Sequence, residues 1–474
     1  MQLPNLSNAR KRSKNVVLKK DYLLSDLYKN IGVGKTYHVK TYGCQMNEHD
    51  SENIEGLLDS IGFTKEEDME KADVVILNTC SIRENAHNKA FGMLGRLKHI
   101  KEKKPELIVA LCGCMAQEEV VIDEILKKYR HVNFVFGTHN LYDLPRLIYE
   151  NSENTKTNIC VLSEEGDIVE GLPVRRVNKF KAYVNIIYGC DKFCTYCIVP
   201  YTRGKQRSRL MEDILKEVQE LKDNGCMEVT LLGQNVNAYG KDLNLGYDLA
   251  DLLTEVAKTN IPRIRFVTSH PWDFTDEMVE VIGKYDNIMP YVHLPLQSGN
   301  DRILKLMGRR YTSAGYKELF DKLKKIPGIS ITTDIIVGFP GETEEEFNDT
   351  LEMVNYCKYD GAFTFIYSPR VGTPAAKLYE KDKETLTEEM KEQRLYKLND
   401  LINDYSNKSN KKMEGNIYKV LVEGFSNKEG MVFGYTETNK LVNFKGNESL
   451  IGKIVPVKIV DAKSFSLDGE LVEE

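Results

Sequence analysis

No run of eighteen apolar residues occurs in the 474-residue sequence, so no membrane-spanning helix is expected. The N-terminus, Met1-Gln2-Leu3-Pro4-Asn5 followed by basic and polar residues, lacks the apolar core of a secretory signal. An excess of positive charge is missing as well. Lysines and arginines number 65 against 71 acids, a net charge of −6 with a pI near 5.9, so composition alone gives no support for a nucleic-acid partner. Any such partner has to be argued from local patches. Two exist: Arg10, Lys11, Arg12, Lys14, Lys19 and Lys20 near the N-terminus, which also read as a solvated tail, and the run from Arg203 to Arg209. The ten cysteines do not have the density of a disulfide scaffold. They gather in loops, which fits metal ligation in a reducing compartment, and a cytoplasmic protein is expected.

The most informative stretch is also marked by something missing. Tyr188-Gly189-Cys190-Asp191-Lys192-Phe193-Cys194-Thr195-Tyr196-Cys197-Ile198-Val199-Pro200 follows an apolar strand and carries three cysteines without a fourth. The spacing lets all three thiolates face one centre. A [4Fe-4S] cubane held in this way keeps one iron open for a small chelating molecule, whereas structural zinc requires four closed ligands. Three buried thiols without metal, or zinc completed from elsewhere in the chain, are the alternatives.

The length calls for two to four domains. From Thr36 onward, short apolar strands (37–42, 73–78, 107–111, 132–136) alternate with amphipathic helices (47–61, 83–103, and one ending near 129). This pattern predicts a parallel Rossmann-like or flavodoxin-like α/β sheet. Cys44, Cys80 and Cys114 follow its first three strands. Parallel strands end on one edge, where open α/β sheets place their ligands, so a second three-cysteine site is expected there. The other reading is three unrelated strand-end cysteines. Cys112, next to Cys114, is expected to pack into the core, and Cys160, Cys226 and Cys357 have no partners at metal spacing.

Six further strands (182–187, 228–232, 263–268, 291–294, 329–337, 363–367), separated by helices, predict a partial (β/α)6 barrel with the Cys190 loop at its C-terminal mouth. Gly233-Gln234-Asn235, Thr268-Ser269-His270-Pro271, His293 to Gly299 and Asp334 to Thr343 end later strands at the same mouth. His270 and His293 read equally as hydrogen-bonded structural residues or as catalytic ones. After a charged helical connector, five short strands near 418–422, 431–435, 441–444, 454–459 and 464–467 predict a small antiparallel β-barrel, OB-like in plan. Phe425, Phe433, Tyr435 and Phe444 in it are either core residues or platforms for bases.

The Cys190 loop resembles the signature of the radical S-adenosylmethionine (SAM) superfamily. With Thr41-Tyr42-Gly43-Cys44-Gln45-Met46-Asn47, Asn78-Thr79-Cys80-Ser81-Ile82-Arg83, Gly113-Cys114-Met115-Ala116-Gln117 and Gly338-Phe339-Pro340-Gly341-Glu342-Thr343, it is similar to the methylthiotransferases of that superfamily. The residues around Cys44 resemble the MiaB subgroup, which acts on dimethylallyladenosine in tRNA. Relatives that modify threonylcarbamoyl-adenosine or a ribosomal-protein aspartate usually differ there. Residues 1–35 lack sustained periodicity and are expected to be a mobile extension, and the polar stretch 153–178 a linker; the resemblance implies a methylthiotransferase N-terminal domain (36–152), a radical SAM core (179–408) and a TRAM domain (409–474).

It further implies that Cys190, Cys194 and Cys197 hold a [4Fe-4S] cluster coordinated with SAM, and that Cys44, Cys80 and Cys114 hold an auxiliary [4Fe-4S] cluster. Tyr196, Gly233, Gln234, Asn235, Ser298 and Gly338 would contact SAM, with an amide where related enzymes carry the acid of a Gly-Gly-Glu motif. Arg203, Arg207 and Arg209 would bind RNA together with TRAM. The implied reaction places a methylthio group on C2 of N6-dimethylallyladenosine at position 37, next to the anticodon. Implied partners are that tRNA, an electron donor such as flavodoxin or ferredoxin, and iron-sulfur assembly proteins. The expected state is monomeric. No catalytic side chain is assigned.

Overall fold

The computed structural model describes residues 19–81, 84–151, 157–161, 166–382 and 385–472. The chain divides into two units. The first holds the chain to Val177 with Ile187–Arg209 and Arg370–Thr373, and the second holds Asn178–Ile186, Leu210–Pro369 and the chain from Pro374.

In the first unit, β1 (Thr36–Tyr42), β2 (Thr64–Lys65), β3 (Val74–Thr79), β4 (Ile108–Gly113), β5 (Phe134–Phe136) and β6 (Asn158–Cys160) form one sheet in the order β2-β1-β3-β4-β5-β6. Every pairing is parallel. The helices are α1 (Gln45–Ser60), α2 (Glu84–Lys103), α3 (Glu119–Lys128) and α4 (Leu144–Asn151). Both faces of β3 and β4 are covered, so these strands read as unbroken apolar runs and not as alternating ones. Val74, Ile76, Ile108 and Ala110 pack with Ile54, Leu57, Leu144 and Leu147 of α1 and α4. Val75, Leu77, Val109 and Leu111 pack with Leu94, Leu97, Ile122 and Ile125 of α2 and α3. Strand order reverses between β1 and β3, which makes that edge the flavodoxin-type switch point where such sheets bind ligands.

Residues 19–35, 157–161 and 166–177, expected to fall in a mobile extension and a linker, take part in this unit. Lys19–Asp21 pairs in parallel with Ile168–Glu170, and β6 is the sixth strand of the sheet. Tyr22, Leu24, Tyr28 and Ile31 pack against the cluster below α1. Their irregular spacing carries no periodic signal, which is why only the folded chain reveals them. Residues 1–18, with most of the basic N-terminal cluster, lie outside the described residues.

The second unit carries two parallel three-stranded sheets, β9-β8-β7 and β10-β11-β12, built from β7 (Lys181–Asn185), β8 (Glu228–Leu232), β9 (Arg263–Phe266), β10 (Tyr291–His293), β11 (Ser330–Val337) and β12 (Gly361–Ile366). A single bridge, Ile264 to Ile288, joins β9 to the segment leading into β10. The result is the expected six-stranded partial barrel. Behind it follow β13 (Ile417–Phe425), β14 (Met431–Tyr435), β15 (Leu441–Lys445), β16 (Ile454–Ala462) and β17 (Leu467–Leu471), closed in the order β13-β14-β15-β17-β16. Four of its pairings are antiparallel, but β15 and β17 run parallel, a departure from the all-antiparallel plan. Phe444 is buried in its core, whereas Phe425 is exposed.

A buried ionic network ties this small barrel to the N-terminal ends of β7, β8 and β9. Glu228 is 2% exposed. It meets Arg265 Nε at 2.9 Å, Lys181 Nζ at 3.4 Å and Arg263 Nη1 at 3.6 Å. The remaining guanidinium donors of Arg263 reach the carbonyls of Tyr435 and Lys419, and those of Arg265 reach Glu437 and Thr436. Burial opposes the charge of Glu228, but Arg265, Lys181 and Arg263 outweigh it and hold the carboxyl below its ordinary range. Removing the single acid would strand two buried guanidiniums. Glu228→Ala is therefore expected to cost about 3–5 kcal/mol in urea unfolding of the full chain.

Candidate metal centres and cofactor-binding loops

Cys44 lies two residues past β1 and is the N-terminal cap of α1, Cys80 directly follows β3, and Cys114 directly follows β4. Two of them thus flank the switch point and the third stands one strand along. None of the ten cysteines is in a disulfide. The Cys44 thiol is held down to about 6, first by a hydrogen bond with Cys80 and then, against burial, by the charge of Arg203 and the first amides of α1. Burial pushes the Cys114 thiol up, with Arg203 pulling it back.

A lattice of uncharged side chains holds these strand ends to α1. Asn47 Nδ2 donates to Asn78 Oδ1 and to the Thr79 carbonyl, each at 3.1 Å, while Asn78 Nδ2 returns bonds to the Asn47 carbonyl and to Ser51 Oγ. Thr79 Oγ1 donates to the Cys112 carbonyl at 2.7 Å. Cys112 itself packs among Val74, Ile76 and Phe134 in the apolar core. Gly113 turns the chain at φ +90°, and a Cβ there would lie 2.3 Å from the Thr79 carbonyl oxygen. Among the described residues no three His, Cys, Asp or Glu side chains close round a single metal ion. A cubane makes a different demand, because its cysteines bind separate irons at separate corners. Three thiols, one already held low and two of them facing a buried cation, suit that donor set.

The cation is Arg203. Its Nε donates to Cys114 Sγ at 3.1 Å and its Nη2 to Asp50 Oδ2 at 2.6 Å. Burial works against its charge, yet Asp50, Cys114 and Cys44 outweigh it and keep the guanidinium protonated. Arg207 donates to the carbonyls of Gly166 and Arg203, and Arg209 grips Glu170 with two parallel bonds of 2.7 and 2.5 Å. All three arginines are buried, each 6% exposed. Their guanidiniums are thus committed inside the protein and not spread on the surface as phosphate contacts would be. Sequence spacing could not show this, because it does not tell which side of a strand an arginine takes. Asp50 was missed for the same reason; the one available signal was its place two turns into the helix that Cys44 starts.

The second cysteine loop, also in the first unit, is framed by a short antiparallel ribbon, Ile187–Tyr188 against Arg207–Ser208. Gly189 (φ +68°) lies so close to Lys205 that a Cβ would meet its carbonyl oxygen at 2.1 Å. Cys190 N donates to the Gly204 carbonyl at 3.1 Å, and Cys197 N to the Cys194 carbonyl at 3.0 Å. Phe193, between the first two cysteines, takes φ +49°, a strained choice for an aromatic residue. Burial pushes the Cys190 thiol up to about 12. Tyr196 is half-buried beside Cys197. The donor set of three thiols on one loop is unchanged from the sequence reading.

In the second unit, Gly233-Gln234-Asn235 follows β8. Asn235 Nδ2 donates to Asp273 Oδ2 at 2.6 Å, and Asp273 Oδ1 accepts from Lys241 Nζ at 2.8 Å. That orientation leaves Asn235 Oδ1 buried with no hydrogen-bond partner. Gln297, past β10 at φ +68°, likewise has a buried Oε1 without one. Two orphaned acceptors at the C-terminal ends of parallel strands suit a ligand rich in donors, such as an ammonium or ribose hydroxyls. Ser298 instead turns toward Thr350 Oγ1 at 3.5 Å. Gly338, at φ +69°, donates to Glu342 Oε2 at 2.8 Å. Burial pushes the Glu342 carboxyl up to about 7, against the pull of that amide and of Arg394. His270 caps the turn at Pro271–Asp273 by accepting from Trp272 N, and His293 meets Thr332 Oγ1 at 2.9 Å and Asp334 Oδ2 at 3.3 Å.

Gly113→Ala forces both a left-handed alanine and a clash with backbone. It is expected to destabilise the metal-free chain by about 1–3 kcal/mol, read by circular dichroism as a lowered unfolding midpoint.

Comparison with known proteins agrees with this organisation. Residues 36–137 match a family described as uncharacterized protein family UPF0004, residues 184–354 match the radical SAM superfamily, and residues 411–472 match the TRAM domain. In solved structures, the radical SAM methyltransferase TsrM from Kitasatospora setae, with cobalamin and a [4Fe-4S] cluster bound, superposes with a TM-score of 0.53 at 14% identity. That match covers 73% of this chain and 78% of that one, and it speaks for the fold alone. Among curated sequences, a tRNA-2-methylthio-N(6)-dimethylallyladenosine synthase from Bacillus cytotoxicus is 54% identical over 100% of this chain and 93% of the relative. A protein of the same name from Halalkalibacterium halodurans is 53% identical over 99% of this chain and 88% of its own length. Identity of that order along the whole of three successive domains settles kinship: the chain belongs to the tRNA-2-methylthio-N6-dimethylallyladenosine synthase family of radical SAM enzymes.

Proposed function

We propose that this chain adds a methylthio group to C2 of N6-dimethylallyladenosine at position 37 of tRNA, using two [4Fe-4S] clusters and SAM. The observation that carries the reading is the pair of three-cysteine sets in a chain about half identical to synthases of that name from end to end. An adenine C2–H bond is too strong for acid–base activation, and the groups these residues would hold would supply what side chains lack: a carbon radical from reductive cleavage of SAM, and transferable sulfur from the auxiliary cluster.

The protein's own part is to hold and orient. Cys190, Cys194 and Cys197 would anchor the SAM-cleaving cluster and leave one iron for the amino and carboxylate groups of SAM. The buried Asn235 oxygen answers the missing acid of the Gly-Gly-Glu motif: an ammonium needs an acceptor, and Asp273 fixes the amide with its oxygen outward. Gln297 offers a second acceptor. Tyr196, Gly233, Gln234, Ser298 and Gly338 complete the proposed SAM contacts, Ser298 through the turn it shapes. Cys44, Cys80 and Cys114 would hold the auxiliary cluster at the switch-point edge. The TRAM barrel would meet tRNA, mostly at phosphates. A reducing protein such as flavodoxin or ferredoxin and the iron-sulfur assembly proteins complete the partners, in the cytoplasm. No helix of the described residues is long and apolar enough to cross a membrane.

Two measurements test this reading. Deleting the gene is expected to abolish the methylthio form of dimethylallyladenosine in total tRNA while the unthiolated nucleoside accumulates, as seen by nucleoside mass spectrometry. A plasmid copy should restore it, and copies with either cysteine set replaced by alanine should not, while each purified variant keeps half the iron of the parent. Persistence of the nucleoside in the deletion strain would overturn the assignment. Asn235→Ala is expected to weaken SAM binding about tenfold or more in calorimetry at unchanged iron content, the effect of losing one hydrogen bond to a charged group.

A further inference from the structure

We propose that Arg203 is a positioning residue for the auxiliary cluster, whose N–H donated to Cys114 and whose fixed positive charge raise the reduction potential of that centre. The inference rests on the reading that Cys44, Cys80 and Cys114 hold a cluster.

Burying a guanidinium is costly unless its donors and its charge are both answered. Arg203 follows Cys197 by six residues and is 6% exposed, which removes it from any surface on which RNA phosphates lie. Its two arms serve different partners: Nε points at Cys114 Sγ and Nη2 at the Asp50 carboxylate. One carboxylate already balances the charge of the arginine, so the second arm is not needed for an ion pair. It is spent on a sulfur. The backbone is fixed as well. Arg203 N donates to the Val199 carbonyl at 2.9 Å, its carbonyl accepts from Arg207 Nη2, and the preceding Thr202 carbonyl accepts from Thr138 Oγ1 at 2.7 Å. Thr138 belongs to the loop after β5, at the same sheet edge as the three cysteines. The segment that leaves the SAM-cluster loop is thereby pinned to the edge where the auxiliary ligands stand.

The groups that face Arg203 are Asp50, Cys114 and Cys44, with Arg207 beside it, and His139 is close enough to Arg203 and Arg207 for their charges, after burial, to keep its imidazole neutral. Three thiolates on an iron-sulfur core are electron-rich, and a hydrogen bond to a ligand sulfur or a nearby positive charge favours the reduced state. Asp50 tempers that charge. Lysine could supply the charge but not a planar fork that reaches sulfur and carboxylate together. A residue that served packing alone would influence stability without moving the potential in a direction set by charge.

The test uses the full chain with Cys190, Cys194 and Cys197 replaced by alanine, so that only the auxiliary cluster can assemble. Iron is counted first. An absence of iron in this background overturns the reading that Cys44, Cys80 and Cys114 hold a cluster, independently of Arg203. With iron present, the potential is followed by visible absorbance and the reduced centre by electron paramagnetic resonance. Arg203→Gln is expected to lower the potential and alter the resonance. Asp50→Asn, which leaves the guanidinium uncompensated, is expected to raise the potential, and Arg203→Lys to fall between the parent and Arg203→Gln. Should Arg203→Gln fail to fold, the opposite displacements of Asp50→Asn and Arg203→Lys still decide. Unchanged potentials in the folded, iron-loaded variants would overturn the inference.

Discussion

Parallel strands share a direction, and so their C-terminal ends share an edge. Much of what this chain can do follows from that constraint, applied once in each unit. In the first, it brings Cys44, Cys80 and Cys114 to neighbouring strand ends although they are separated by dozens of residues. In the second, it places Asn235 and Gln297 with the loops that follow β8 and β10. The opposite ends of β7, β8 and β9 serve attachment instead, and there the Glu228 network grips the small barrel.

The two buried ionic clusters show how similar components lead to different outcomes. Around Glu228, one acid is shared by three cations; the remaining donors of Arg263 and Arg265 go to backbone carbonyls and Lys181 also pairs with Glu423, so each cation is answered by protein. Around Arg203, one acid faces one cation, and the surplus donor goes to a cysteine sulfur. The first arrangement is a closed structural joint. The second is complete only when the sulfur is electron-rich, which ties its value to what the cysteines hold.

Asn235 illustrates a substitution that local sequence makes look like a loss. An amide in place of a carboxylate removes a charge, but Asp273 stands behind it, paired with Lys241, and binds the amide nitrogen so that the oxygen is left as an acceptor. The negative charge is displaced one residue back and not abolished. A ligand ammonium would then meet a dipole with a carboxylate behind it, a hydrogen-bonded chain whose members polarise one another.

The alternation of apolar strands with amphipathic helices made both α/β units legible from the sequence, because burial on two faces forces continuous hydrophobic runs such as Val74–Thr79 and Ile108–Gly113. The convergence of Cys44, Cys80 and Cys114 on one sheet edge was equally legible, since strand ends in a parallel sheet converge whatever their loops do. The strands at 19–21, 158–160 and 168–170 were not, for a three-residue strand at a sheet edge carries no period to detect. Nor was the parallel pairing of β15 with β17, which depends on how the barrel closes. The orientation of Arg203, Arg207 and Arg209 was the largest difference. A run of basic residues looks the same whether it faces solvent or turns inward, and only tertiary packing, by placing Asp50, Glu170 and Cys114 within reach, decided that their charge is used inside the protein.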